Sequence, residues 1–160
     1  MGTGKSAASR ELARMLKMKL IDIDAGIEDA EGMRIQDIFS ALGEEWFRVR
    51  ETDVIRRYAS VEHSVISTGG GAVLREENLE ALRKNGIIFC LFASPDTIMK
   101  RISGNEDRPL LKTDDPLEKI VELMNYRRPF YEKAGIMIDT EDKTPIQVAE
   151  EIAEIYRANA

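Results

Sequence analysis

The chain holds one cysteine, one histidine and one tryptophan in 160 residues. A single thiol, Cys90, excludes an internal disulfide. It lies in the apolar run "IIFCLF" and reads as a small buried hydrophobe rather than a nucleophile. His63 has no cysteine or carboxylate pattern beside it and reads as a structural surface residue. No apolar stretch approaches the ~20 residues that cross a bilayer. No signal-peptide pattern opens the sequence, so a reduced, cytoplasmic setting is expected. Positive charge is also short. Lys and Arg number 23 against 29 Asp and Glu, a net charge of −6, whereas non-specific nucleic-acid binding needs a basic surface. Neither nucleic acid nor membrane is expected as a partner. Repeats, low-complexity tracts and linkers are missing too. At this length, with 43% hydrophobic residues, one domain with one core is expected.

What is present alternates. Residues 5–17 read as a helix with Leu12, Ala13 and Leu16 on one face. "LIDID" (20–24) reads as a strand ending in acids. Helical stretches follow over Ile35–Leu42 and from about Glu44 to Tyr58, with Gly43 between them. "SVIST" (64–68) is a strand punctuated by Gly69-Gly70-Gly71. A helix over 76–85 precedes "GIIFCLFA" (86–93), apolar at nearly every position, as in strands buried on both faces. Ser94-Pro95-Asp96 caps a helix to about Ile102, and residues 103–114 read as a polar loop. Asp115-Pro116 starts a helix to about Lys133, and "IMIDT" (136–140) is the last strand. Thr144-Pro145 caps a terminal helix with Ile146, Ala149, Ile152, Ala153 and Tyr156 inward. Strands alternating with helices give an α/β class with a mainly parallel sheet. Ligands of such sheets bind at the carboxyl ends of the strands.

Five features sit near those ends. Gly2-Thr3-Gly4-Lys5-Ser6 opens a helix, as phosphate-binding loops of the G-x-x-x-x-G-K-[ST] pattern do. Its small residues let backbone N–H groups close on phosphate oxygens. Lys5 can reach the β and γ phosphates, and Ser6 can ligate Mg²⁺. A flexible glycine-rich segment is the bland alternative. In a strand, Asp22 and Asp24 project from one face. They could serve the Mg²⁺ shell and a reacting hydroxyl, or simply end a solvated strand. In "GEEWFRVRE" (43–51), Arg48 and Glu51 stand three apart on a helix and can pair. That pair would hold a guanidinium toward a carboxylate ligand, or form a surface ion pair. Three consecutive glycines suit close approach of a ligand to the backbone, or a plain turn. Arg101, Arg108 in "RPLL" and Arg127-Arg128 in "YRRPFYEKA" could neutralise developing charge.

Taken together these segments resemble shikimate kinases, whose pattern runs through a loop like "MGTGKS", then "IDxD", "GExxFRxxE", "GGG", "RPLL" and "RxPxY". Here they stand at Met1–Ser6, Ile21–Asp24, Gly43–Glu51, Gly69–Gly71, Arg108–Leu111 and Arg127–Tyr131. The resemblance implies a P-loop kinase fold, a three-layer α/β/α domain with strand order 2-3-1-4-5. It implies transfer of the γ-phosphoryl of ATP to the 3-hydroxyl of shikimate with Mg²⁺, in aromatic amino-acid biosynthesis. It also implies roles for residues. Gly2, Thr3, Gly4, Lys5 and Ser6 would cradle the phosphates. Ser6 and Asp22 would serve the metal. Asp24 would bind shikimate hydroxyls and act as base. Arg48, held by Glu51, and Arg127 would clamp the substrate carboxylate beside Gly69, Gly70 and Gly71. Arg108 would swing onto the phosphates from a lid at about 103–114. Arg101 and the segment Lys143, Thr144, Pro145 would flank adenine. Residues 1–160 form one domain in this reading, with a shikimate-binding helical segment at about 25–60, and a monomer is expected.

The chain departs from the pattern in two ways. Ala7 replaces a common Thr. The first strand and the leading Gly of the loop fall before Met1, so strand 1, central in the implied order between "SVIST" and "GIIFCLFA", is expected to be missing. Two other readings stay open beside the leading one: a related small-metabolite kinase, and a weakly active or non-catalytic nucleotide-binding fragment.

Overall fold

The computed structural model describes residues 2–103 and 115–159. Arg108 and, apart from Ser103, the loop expected as a lid lie outside the described residues. The chain begins with helix α1 (Lys5–Leu16), strand β1 (Lys19–Asp22), α2 (Ile23–Glu31) and α3 (Ile35–Tyr58). Strand β2 (Ser64–Ser67), a 3₁₀ turn (Ala72–Leu74), α4 (Glu76–Arg83) and β3 (Phe89–Phe92) follow. Then come α5 (Pro95–Ile102), α6 (Pro116–Ala134), β4 (Ile136–Asp139) and α7 (Pro145–Asn159).

Both strand pairings are parallel. β1 lies on β2 with Asp22 opposite Ser67, and β3 lies on β4 with Phe92 opposite Asp139. Among the described residues these are two separate two-stranded sheets. They correspond to the outer pairs 2-3 and 4-5 of the expected order, with no described strand in the position of strand 1.

One apolar layer spans both sheets. Ala8 and Leu12 of α1 and Val148, Ala149, Ile152 and Ala153 of α7 pack on Ile138, with Val65, Phe89 and Leu91 against them. Burying such side chains is worth roughly 1.5–3 kcal/mol each, so α1 and α7 tie β2 to β3 and β4. A second cluster, Ile21, Ile23, Ile27, Ile38, Phe47 and Ile55, fixes α2 and α3 beside β1. A third, Val73, Leu79, Cys90 and Ala134, seats α4 and α6 on β3. Burial pushes the Cys90 thiol up to about 11, as suits an inert core residue.

Three expectations change. Asp24 lies in the first turn of α2, not in a strand. Asp22 ends β1, and its carboxylate accepts from Ala25 N–H at 3.2 Å, capping α2. That bond starts the helix at Ile23, one residue before the expected strand would end. β3 is only four residues long; Phe89 and Leu91 are covered from the α1–α7 side and Cys90 by α4 and α6, while Phe92 at its end stays 37% exposed. Val148 rather than Ile146 faces inward on α7. Gly43, with φ of 84° and ψ of 168°, is not helical and divides α3 at a sharp kink into two helices, as expected.

Candidate active site

The glycine loop is shaped before any ligand arrives. Gly2 and Gly4 have φ of 76° and 83°, in the left-handed region that side chains avoid. A Cβ at Gly2 would lie 2.8 Å from Ile98 Cγ2, so α5 presses directly on the loop. Gly4 caps α1 and places Lys5 in its first turn. Lys5 Nζ donates to Ser67 Oγ at 2.7 Å, across to the end of β2. Ser67 is buried and faces Asp22 in the strand register. Lys5, Asp22, Ser67 and the glycines after β2 thus gather at the carboxyl ends of β1 and β2. Ser67 carries no marker in the sequence beyond a small polar residue two before the glycines.

Beside them lies a buried charged cluster. Arg48 Nη1 donates to Glu51 Oε2 at 2.7 Å, and Nη2 and Nε donate to Glu44 Oε1 at 3.1 and 3.3 Å. Glu51 is fully buried, and its Oε1 has no hydrogen-bond partner among the described residues. Burial raises the Glu51 carboxyl above the ordinary range, against the pull of Arg48. Burial opposes the charge of Arg48, but Glu51 and Glu44 more than offset it. Burial also raises Asp24, opposed by Lys5 and Arg48 and reinforced by Asp22. A carboxylate so raised is a better proton acceptor than a solvated one.

The glycine run explains how these groups fit. A Cβ at Gly69 would lie 3.0 Å from Glu51 Oε1 and 3.2 Å from Asp24 Oδ1. A Cβ at Gly71 would lie 2.3 Å from Arg48 Nη2. The loop is held by Ala72 N–H on Gly69 O, by Asn78 Nδ2 on Ala72 O and by Tyr131 Oη on Gly70 O. Arg127, one turn before Tyr131 on α6, keeps its Nε buried and without a partner among the described residues. An unpaired guanidinium N–H in such a place is a ready donor for an anion.

The expected adenine side is arranged differently. Arg101 donates to Thr140 Oγ1 at 2.9 Å and to Thr140 O at 2.7 Å. Lys143 Nζ donates to Asp139 O and to Glu151. Thr144 and Gln147 exchange hydrogen bonds at the start of α7, just before Pro145. Glu141, which the sequence reading passed over, accepts from Ser94 N–H, Ser94 Oγ and Thr97 Oγ1. It pins the start of α5, the helix on which Gly2 rests.

A glycine loop that opens a helix with a lysine at its mouth, set against buried carboxylates and arginines, suits phosphoryl transfer to a small anionic acceptor, and the class is that of the P-loop small-molecule kinases. The family profile described as shikimate kinase matches residues 1–157. The shikimate kinase of Thermodesulfovibrio yellowstonii is 46% identical, covering 98% of this chain and 90% of that protein. A shikimate kinase of Thermus thermophilus is 43% identical, over 96% of this chain and 84% of that protein. Among solved structures, the shikimate kinase of Acinetobacter baumannii in complex with shikimate superposes with a TM-score of 0.92 at 33% identity, over 99% of this chain and 89% of that one. The Aquifex aeolicus shikimate kinase gives 0.85 at 34%, over 99% and 93%. The chain belongs to the shikimate kinase family.

Proposed function

We propose that this chain transfers the γ-phosphoryl group of ATP to the 3-hydroxyl of shikimate, giving shikimate 3-phosphate and ADP. The observation that carries the residue roles is the convergence of Lys5, Asp24, Arg48, Glu51 and Gly69–Gly71 at one end of the sheet. Arg48, braced by Glu51, and Arg127 hold the substrate carboxylate. Asp24 orients the acceptor hydroxyl and takes its proton as the hydroxyl oxygen attacks the γ-phosphorus. The bond from that phosphorus to the bridging oxygen breaks, and ADP leaves. Lys5 leaves Ser67 for the phosphates, where its charge offsets what develops in the transition state. The Gly2–Ser6 backbone N–H groups hold the phosphates in line. Arg101, Arg108 and Lys143–Pro145 belong to the nucleotide side of this reading.

Mg²⁺ fits the donors present. Ser6 is an exposed hydroxyl and Asp22 a half-exposed carboxylate, both hard oxygen donors. Among the described residues no group of three or more His, Cys, Asp or Glu side chains is arranged to hold a metal. Ser6 and Asp22 would hold the ion, with substrate phosphates and water completing its shell. When bound, Mg²⁺ neutralises phosphate charge. No helix among the described residues is long and apolar enough to cross a membrane. A cytoplasmic monomer acting on small molecules, without nucleic acid or membrane, completes the proposal.

Release of ADP from MgATP, with and without shikimate, tests this. Release that depends on shikimate is expected. Release on another small hydroxy compound but not on shikimate would favour a related kinase, and binding of ATP without release a non-catalytic module.

A further inference from the structure

Tyr131 closes the "RxPxY" segment on α6. Its hydroxyl donates to Gly70 O at 2.7 Å, linking α6 to a loop sixty-one residues earlier in the chain. Arg127 stands one turn earlier on the same helix. Residues four apart on a helix share a face, so Arg127 and Tyr131 meet the glycine loop together. The ring packs beside Val73, Leu79, Cys90 and Ala134 and is fixed there. The next glycine, Gly71, has no room for a methyl group because the Arg48 guanidinium fills it. The Tyr131 hydroxyl therefore meets the loop from α6 at Gly70, and the Arg48 guanidinium meets it from α3 at Gly71. Because the peptide is planar and trans, holding Gly70 C=O toward α6 turns Gly71 N–H the other way.

We propose that Tyr131 is a positioning residue that sets the spacing between the two carboxylate-binding arginines, Arg48 on α3 and Arg127 on α6, by fastening Gly70 to α6. This rests on the shikimate reading given above. The hydroxyl touches no reacting atom. Its loss keeps both guanidinium groups but frees the loop between them, so that their spacing is no longer set; this weakens two-sided recognition of a carboxylate and spares the nucleotide.

The test uses two hydroxyl-free variants that keep apolar volume, Tyr131→Phe and Tyr131→Met, each with its melting temperature. Each is assayed for ADP release with shikimate and with shikimate carboxamide, the neutral isostere, as acceptor. With shikimate, the KM for the acceptor is expected to rise about tenfold. The KM for ATP stays within twofold, and kcat changes less than KM. With the carboxamide, the variants and the parent differ by less than twofold. A purely structural role would raise both acceptor KM values alike. Equal penalties on the two acceptors, or no penalty on either, would overturn the role of Tyr131 while leaving the reaction intact. A parent chain that phosphorylates neither acceptor would overturn the shikimate reading itself.

Discussion

Gly71→Ala is the smallest change that reaches Arg48 in the proposed carboxylate clamp. The added methyl would sit 2.3 Å from Arg48 Nη2 and 2.5 Å from Cζ and Nη1. Ordinary contact needs about 3.5 Å, so the guanidinium must move by about 1 Å. A side-chain end could do that cheaply in solvent. Here Nη1 is bound to Glu51 at 2.7 Å and Nη2 to Glu44 at 3.1 Å, and the residue is 9% exposed. Moving it breaks the geometry of a buried ion pair. The backbone at Gly71 has φ of −92° and ψ of −6°, which alanine adopts freely. The effect is therefore contact, not strain. A displacement of about 1 Å in a positioning group costs about 10²-fold in rate, or about 2.7 kcal/mol. The assay is ADP release at saturating ATP with shikimate varied. kcat/KM for shikimate should fall about 10²-fold with the ATP KM little changed. In an Arg48→Ala background the same methyl should cost less than about twofold, because the partner it displaces is gone. A single variant within twofold of the parent, or equal losses in both backgrounds, would refute the reasoning.

Three further outcomes follow from other contacts. Lys5→Ala should lose orders of magnitude in turnover while its melting temperature stays near the parent's; near-normal turnover would remove the lysine from the phosphate site. Glu51→Ala leaves Arg48 buried with only Glu44, and urea unfolding should report a loss of about 3 kcal/mol; a loss under about 0.5 kcal/mol would mean that the pair behaves as a surface one. Glu141 is held below its ordinary value of 4.5, first by Ser94 N–H and then by Thr97 Oγ1. A depressed carboxyl stabilises the fold above that ordinary value and loses its contribution as pH falls through the folded-state value. The melting-temperature gap between the parent and Glu141→Gln should therefore be widest above pH 4.5 and close in acid, and a gap independent of pH would contradict the capping role.

The sequence made the alternation of helices and strands legible because apolar spacing and Pro or Gly punctuation are local signals. The Arg48–Glu51 pair was legible for the same reason, since three residues apart on a helix means contact. Asp24 was misplaced because the Asp22 cap competes with strand extension, and periodicity over five residues cannot decide that contest. The glycine run was read as room for a ligand. In the structure Gly69 and Gly71 also make room for Asp24, Glu51 and Arg48, a need set by side chains far away in sequence. Ser67 and Glu141 went unnoticed because their partners lie 62, 47 and 44 residues off. No local pattern marks such pairs.

The central claim is that the hydroxyl phosphorylated is the one held beside Asp24 while Arg48 and Arg127 hold the carboxylate. Phosphorus–proton correlation NMR of the products from MgATP and shikimate tests it most directly. The account predicts one new phosphate monoester, coupled to the ring proton at carbon 3 and formed in step with ADP. Inorganic phosphate alone, or a monoester coupled to another ring proton, would contradict it.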